Sequence, residues 1–153
     1  MIKMKILVFL QNMWVKDPAK VKRILSKNPD KWNELCKDLL FMGCPTGKKI
    51  KEIFGDLTED MIFDESTKEI LNNPRDVPKA DLTHISDTIK RVNPDIILTF
   101  GKVAENAVID MYKSGVIYYH STPTPKHIFI APHPAARQPE TMNRLKNIAQ
   151  SIR

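Results

Sequence analysis

The chain is poor in cysteine and has no long apolar run, and each lack removes a class of protein. Of its 153 residues, only Cys36 and Cys44 carry thiols. Two thiols cannot hold a four-thiolate iron–sulfur cluster or a four-cysteine zinc site. A disulfide between them is not expected in a reducing compartment, so both are read as structural thiols. The longest apolar stretches, such as residues 6–10 and 96–98, are strand-length. They fall far below the roughly 20 residues that a membrane-spanning helix needs. The N-terminus, MIKMKILVFLQN, is basic and then apolar, like a secretion signal. Its apolar part is too short for one and no small-residue cleavage site follows, so it reads as the first strand of a cytoplasmic protein. No repeat, low-complexity tract or linker divides the chain, and residues 1–153 are expected to form one domain. His84, His120 and His127 lack the spacing of metal ligands. No metal and no cofactor is expected.

What is present is a basic, core-forming composition. Hydrophobic residues make up 42% of the chain, and 24 Lys and Arg stand against 18 Asp and Glu, a net charge of +6. A balance of this sign suits a polyanion, because basic side chains release counterions as they neutralise phosphates.

Strand and helix patterns alternate along the chain. Residues 5–10 (KILVFL) are an apolar run that stops at Gln11 and Asn12, as in a strand buried on both faces. Residues 17–40 are helical in pattern, with Asp17 able to cap, Pro18 suited to a first helical position, and a second helix starting near Asn28. Thr46 is expected to cap a short helix over 48–54 that Gly55 ends. A strand is possible at 61–63, and 72–78 (NNPRDVP) reads as a loop. Leu82, Ile85, Ile89 and Val92 share one stripe of a helix over 81–92. Residues 96–100 and 126–131 read as two further strands, followed by helices over 102–113 and 140–152. Such alternation implies parallel β-structure with helices on both faces, and ligands in such sheets bind outside the carboxyl ends of the strands.

Three strand ends therefore draw attention. The first delivers Gln11, Asn12 and Trp14. The second delivers Gly101 and Lys102, where glycine permits close approach and a helix N-terminus attracts phosphate. The third is Pro132-His133-Pro134, in which two prolines fix the backbone around one imidazole. Other features have blander readings. Residues 16–23 (KDPAKVKR) fit a solvated helix face, Trp32 a core position, and Asp64 and Glu65 surface acids, although either carboxylate is a candidate for catalysis.

In this order the segments resemble the uracil-DNA glycosylase superfamily. Residues 95–108 (DIILTFGKVAENAV) resemble its strand–Gly–helix segment, and 128–137 (IFIAPHPAAR) its strand followed by His-Pro-Ser. Residues 10–14 (LQNMW) are similar to its first motif, and 46–54 (TGKKIKEIF) to a loop and helix found in some branches. The resemblance implies a three-layer α/β/α fold around a central, mainly parallel four-stranded sheet. It implies an enzyme that hydrolyses the bond between sugar and base for uracil or a related damaged base flipped from DNA, acting as a monomer. By the same resemblance His133 stabilises charge on the leaving base and Asn12 positions water. Gln11 offers a backbone N–H to the base, Trp14 walls the pocket, and Phe41 stacks on the base. Thr46, Lys48, Lys49, Gly101 and Lys102 hold phosphates, while Ala135, Ala136 and Arg137 enter the gap in the DNA. Asn73 is the candidate for the family's base-reading asparagine.

The departures are specific. Leu10 stands for the usual Gly, Met13 for the usual Pro, and Ala135 for the Ser of the His motif. Asn12 is neutral, so it can orient water but cannot act as a general base. Two alternatives stay open: a non-catalytic protein of this fold that binds nucleic acid or a modified nucleotide, and an enzyme acting on free nucleotides.

Overall fold

The computed structural model describes residues 4–42, 44–71 and 79–153. In chain order the elements are β1 (Ile6–Leu10), β2 (Met13–Trp14), α1 (Pro18–Lys27), α2 (Trp32–Phe41), α3 (Pro45–Phe54), β3 (Met61–Glu65), β4 (Ile70–Leu71), α4 (Leu82–Val92), β5 (Ile96–Phe100), α5 (Lys102–Lys113), β6 (His127–Ala131) and α6 (Thr141–Ile152). Short 3-10 turns occupy Pro29–Lys31, Gly55–Asp60 and Ile117–Ser121.

The main sheet has the order β3-β1-β5-β6 and is parallel throughout. Side chains alternate between its faces. Ile6, Val8 and Leu10 of β1 join Val21, Cys36, Ile50, Phe54, Leu145 and Ala149, so α1, α2, α3 and α6 cover one face. Leu7 and Phe9 join Ile85, Ile89, Ala104, Val108 and Met111, so α4 and α5 cover the other. All five residues of β1 are buried, which is why that segment reads as an unbroken apolar run. The fold is the expected three-layer α/β/α arrangement.

Local signals account for most boundaries. The Asp17 carboxylate accepts from the Lys20 N–H and opens α1, with Pro18 at its first position. The Asp81 carboxylate accepts from the His84 N–H and opens α4. Asn93, at φ 50°, ends that helix through its N–H to Ile89 O.

Two expectations need correction. Thr46 lies inside the first turn of α3 and caps nothing; the helix starts at Pro45, whose fixed φ suits that position, and Cys44 before it makes no side-chain cap bond. Asp64 and Glu65 are not surface acids: β3 runs on to include both, and they are 0% and 7% exposed. Residues 72–78, read as a loop, lie outside the described residues.

Asp64 is fully engaged. Its carboxylate accepts from Trp32 Nε1 at 2.8 Å, Asn33 Nδ2 at 2.8 Å and His84 Nε2 at 2.7 Å. Burial alone would raise its pKa, but the His84 charge and these hydrogen bonds together hold it below the usual range. Trp32 and Asn33 lie on α2 and His84 on α4, so one carboxylate ties both helical layers across the edge strand. Asn33 Nδ2 also donates to Phe63 O, covering part of the strand edge.

Within one helical layer, the contact between α2 and α3 is the tightest at a glycine. A Cβ on Gly47 would meet the Leu40 carbonyl oxygen at 1.8 Å. An alanine in a helix normally stabilises by about 1 kcal/mol relative to glycine. Here we expect the opposite sign. Gly47→Ala should lower the unfolding free energy by about 1–3 kcal/mol in urea titrations, and an unchanged or raised value would contradict this packing.

Candidate functional site

The strand ends lie level because the register is fixed. Leu10 stands opposite Glu65, and Phe100 opposite Ala131. The residues just past this row form one mouth. Beside it lies a cavity of about 790 Å³, lined by Leu10, Gln11, Asn12, Met13, Cys36, Thr46, Glu65 and His133 among others. That volume is within the range of about 300–1,000 Å³ usual for small-molecule sites. The β1 and β6 ends are brought together as expected, and the β3 end joins them.

Backbone bonds hold the first loop. Ser66 donates its N–H to Leu10 O at 2.9 Å and to Gln11 O at 3.2 Å, and its hydroxyl to Leu10 O at 2.5 Å. The short pair β2–β4 then clamps residues 13–15 beside 70–71, with Val15 N–H donating to Leu71 O at 2.9 Å. Asn12 is half-buried, and its amide makes a 3.3 Å bond to Met13 O.

His133 is fixed from two sides. The Ala135 N–H donates to His133 Nδ1 at 3.1 Å, and the Ala136 N–H to His133 O at 2.9 Å. A neutral ring accepting at Nδ1 carries its proton on Nε2, so it is a donor there. Burial, then the Lys49 charge, push its pKa below the ordinary histidine value, which favours that neutral form. Gly101 lies against the ring: a Cβ there would be 3.5 Å from His133 Cβ and 3.6 Å from Cδ2. Its φ of 89° and its N–H bond to Ala131 O at 3.0 Å join the β5 and β6 ends.

The other expected site residues are spread around this centre. Thr46 lines the cavity. Lys48 and Phe41 face a neighbouring cleft of about 370 Å³. Phe41 packs edge-on against Phe63 at 5.3 Å, as a core aromatic does. Lys102 is exposed and pairs with Glu105 at 3.0 Å, a contact of little energetic weight at a surface. Ala135 and Arg137 are exposed and Ala136 half-buried in the turn after His133. Trp14 contributes its backbone to β2, its side chain falling outside the described residues. Asn73 lies outside them too.

Glu65, whose sequence suggested a surface acid, lines this cavity instead. Its Oε2 is buried with no hydrogen-bond partner. Burial, then the charges of Asp64 and Cys44, push the carboxyl well above its ordinary value, which favours its protonated form. Cys36 beside it is likewise a thiol rather than a thiolate, its pKa raised by burial and then by Glu65 and Asp64. Among the described residues no cluster of His, Cys, Asp and Glu is arranged to hold a metal ion, and no helix is long and apolar enough to cross a membrane.

The influence of Lys49 on His133 is directly measurable. Lys49→Gln removes the positive charge and leaves the burial in place, so the imidazole pKa should rise part of the way toward the ordinary value. An NMR pH titration reads this, and an unchanged or lowered value would contradict the electrostatic coupling.

A model of the Uracil DNA glycosylase superfamily matches residues 17–152. The match begins after β1 and the loop at 10–14, the segment in which the first motif departs most from the family pattern. No curated protein matches the chain. With nearly its whole length under that match and a parallel sheet of the corresponding architecture, the chain belongs to the uracil DNA glycosylase superfamily.

Proposed function

We propose that the protein is a monofunctional DNA base glycosylase that hydrolyses the glycosidic bond of uracil or a related deaminated base turned out of DNA. The observation that carries this reading is the neutral His133, with its donor fixed on Nε2, bordering the same cavity as Gln11 and Asn12. When the bond between C1′ and the base breaks, its electron pair stays on the base and negative charge grows on a ring carbonyl. A preorganised N–H aimed at that oxygen stabilises the transition state without reorganising.

Asn12 has no charge and takes no proton. Its role is to orient the water whose oxygen adds to C1′, while the water proton passes to solvent or to the departing base. The reaction then relies on an oxocarbenium-like sugar rather than on a general base. Gln11 presents its backbone N–H to the base, and Trp14 walls the pocket. Extrusion of the base costs a few kcal/mol, least for a mispaired base. Phosphate contacts by Thr46, Lys48, Lys49, Lys102 and the Gly101 turn, with Arg137 and the Ala135–Ala136 turn in the gap, offset it. The N-termini of α3 and α5, next to Thr46 and Lys102, favour anions. The protein acts as a monomer and as one domain.

A second reading, a binder of damaged bases without catalysis, is favoured by the neutral Asn12. Base release separates the two. Excess protein incubated with labelled oligonucleotides containing uracil, hypoxanthine, xanthine or hydroxymethyluracil should generate alkali-labile abasic sites. His133→Ala should slow release about 10²–10³-fold. No release from single- or double-stranded DNA, or equal release by the variant, would overturn the proposal.

A further inference from the structure

Glu65 is a buried acid whose Oε2 finds no hydrogen-bond partner among the described residues. It closes β3 opposite Leu10 and borders the cavity together with Gln11, Asn12 and His133. It is 7% exposed, and Oε2 has no partner. An unmade hydrogen bond of this kind costs about 1–3 kcal/mol, and buried polar atoms are almost always paired. Its neighbour Asp64 shows what pairing looks like in this strand, with three side-chain donors on one carboxylate.

We infer that the Glu65 carboxyl reads the edge of the base held in this cavity, taking rings that present a hydrogen-bond donor and an acceptor side by side. The inference rests on the proposal that the cavity is the base pocket. A protonated carboxyl offers one O–H donor and one carbonyl acceptor next to each other. Uracil meets it with a ring N–H beside a carbonyl. Cytosine meets it with a ring nitrogen beside an amino group, because either carboxyl oxygen can carry the proton. The site therefore reads the presence of a complementary edge and not its polarity, and His133 supplies the donor for a further ring carbonyl.

Protonation is the condition for this reading. Burial first, then the charges of Asp64 and Cys44, favour the protonated carboxyl. Asp64 on its own strand is negative and already paired, Cys44 before α3 adds to the upward shift, and Cys36 on α2 is an uncharged thiol. His133 after β6 is neutral at physiological pH, and Lys16, on the cavity lining, is exposed. Binding should therefore be constant below the raised Glu65 value and fall as pH rises through it, when the ionised carboxylate presents two acceptors and no donor.

Small ligands test this apart from catalysis. Binding of 1-methyluracil, 1-methylcytosine and 1,3-dimethyluracil to the intact protein is measured by NMR titration across neutral and alkaline pH, the last ligand having lost its ring donor. We expect the first two to bind within about tenfold of each other and the third at least about tenfold more weakly than 1-methyluracil. Glu65→Gln keeps a donor–acceptor pair without a titrating proton, so it should retain binding and lose the alkaline fall for 1-methylcytosine, a ring that does not itself ionise in alkali. Glu65→Leu should lose about tenfold or more for both edge-bearing ligands. No binding by the wild type, equal binding of the dimethyl ligand, equal binding by Glu65→Leu, or an alkaline fall for 1-methylcytosine preserved in Glu65→Gln would each overturn the inference. If oligonucleotides release no base yet these ligands bind as expected, the glycosylase proposal fails and the inference about Glu65 stands. If base is released while ligand binding ignores Glu65, the reverse holds.

Discussion

In the central sheet, β1 exchanges main-chain hydrogen bonds with β3 on one side and β5 on the other, in a register that sets Leu10 against Glu65 and Phe9 against Thr99. Everything at the site follows from that pairing. Parallel strands in register end level, so the loops that follow them open at one edge of the sheet. Ser66 extends the pairing one step past β3 by bonding Leu10 O and Gln11 O, which holds the first loop beside the third strand. Gly101 does the same on the far side by bonding Ala131 O beneath His133. The chemistry is thus placed by main-chain hydrogen bonds in a buried sheet, with little demand on the loops themselves.

The alternation of side chains along β3 then sorts two adjacent acids into two environments. Asp64 faces donors from α2 and α4 and is held ionised. Glu65, one residue later, lines the cavity and is shifted toward its protonated form. Opposite shifts on neighbouring carboxyls are a sign of different tasks. Asp64 fastens the helical layers across the edge strand. Glu65 Oε2 has no partner among the described residues, which leaves it open to a ligand.

The alternating pattern of apolar runs and amphipathic stripes made the layered architecture legible, since β1 and β5 are buried on both faces and α4 carries one clean stripe. The turns at Gly101 and His133 were legible too, because glycine and proline mark sharp backbone constraints. Glu65 was not. Its segment, MIFDEST, alternates poorly and carries two charges. Nothing local distinguishes a buried acid from a surface one when the partners of its neighbour come from Trp32, Asn33 and His84, far away in the chain. Phe41 shows the converse. An aromatic at the end of a helix suggests a stacking platform, but its contact with Phe63 depends on how α2 lies along β3.

One cavity, at the level ends of β1, β3 and β6, is the proposed seat of a flipped base. A crystal structure with an oligonucleotide carrying a non-cleavable fluorinated deoxyuridine tests this most directly. The ring should occupy that cavity, with the Glu65 carboxyl on its donor–acceptor edge and His133 Nε2 on a carbonyl oxygen. A base left stacked in the DNA, or seated in the neighbouring cleft beside Phe41 and Lys48, would contradict it.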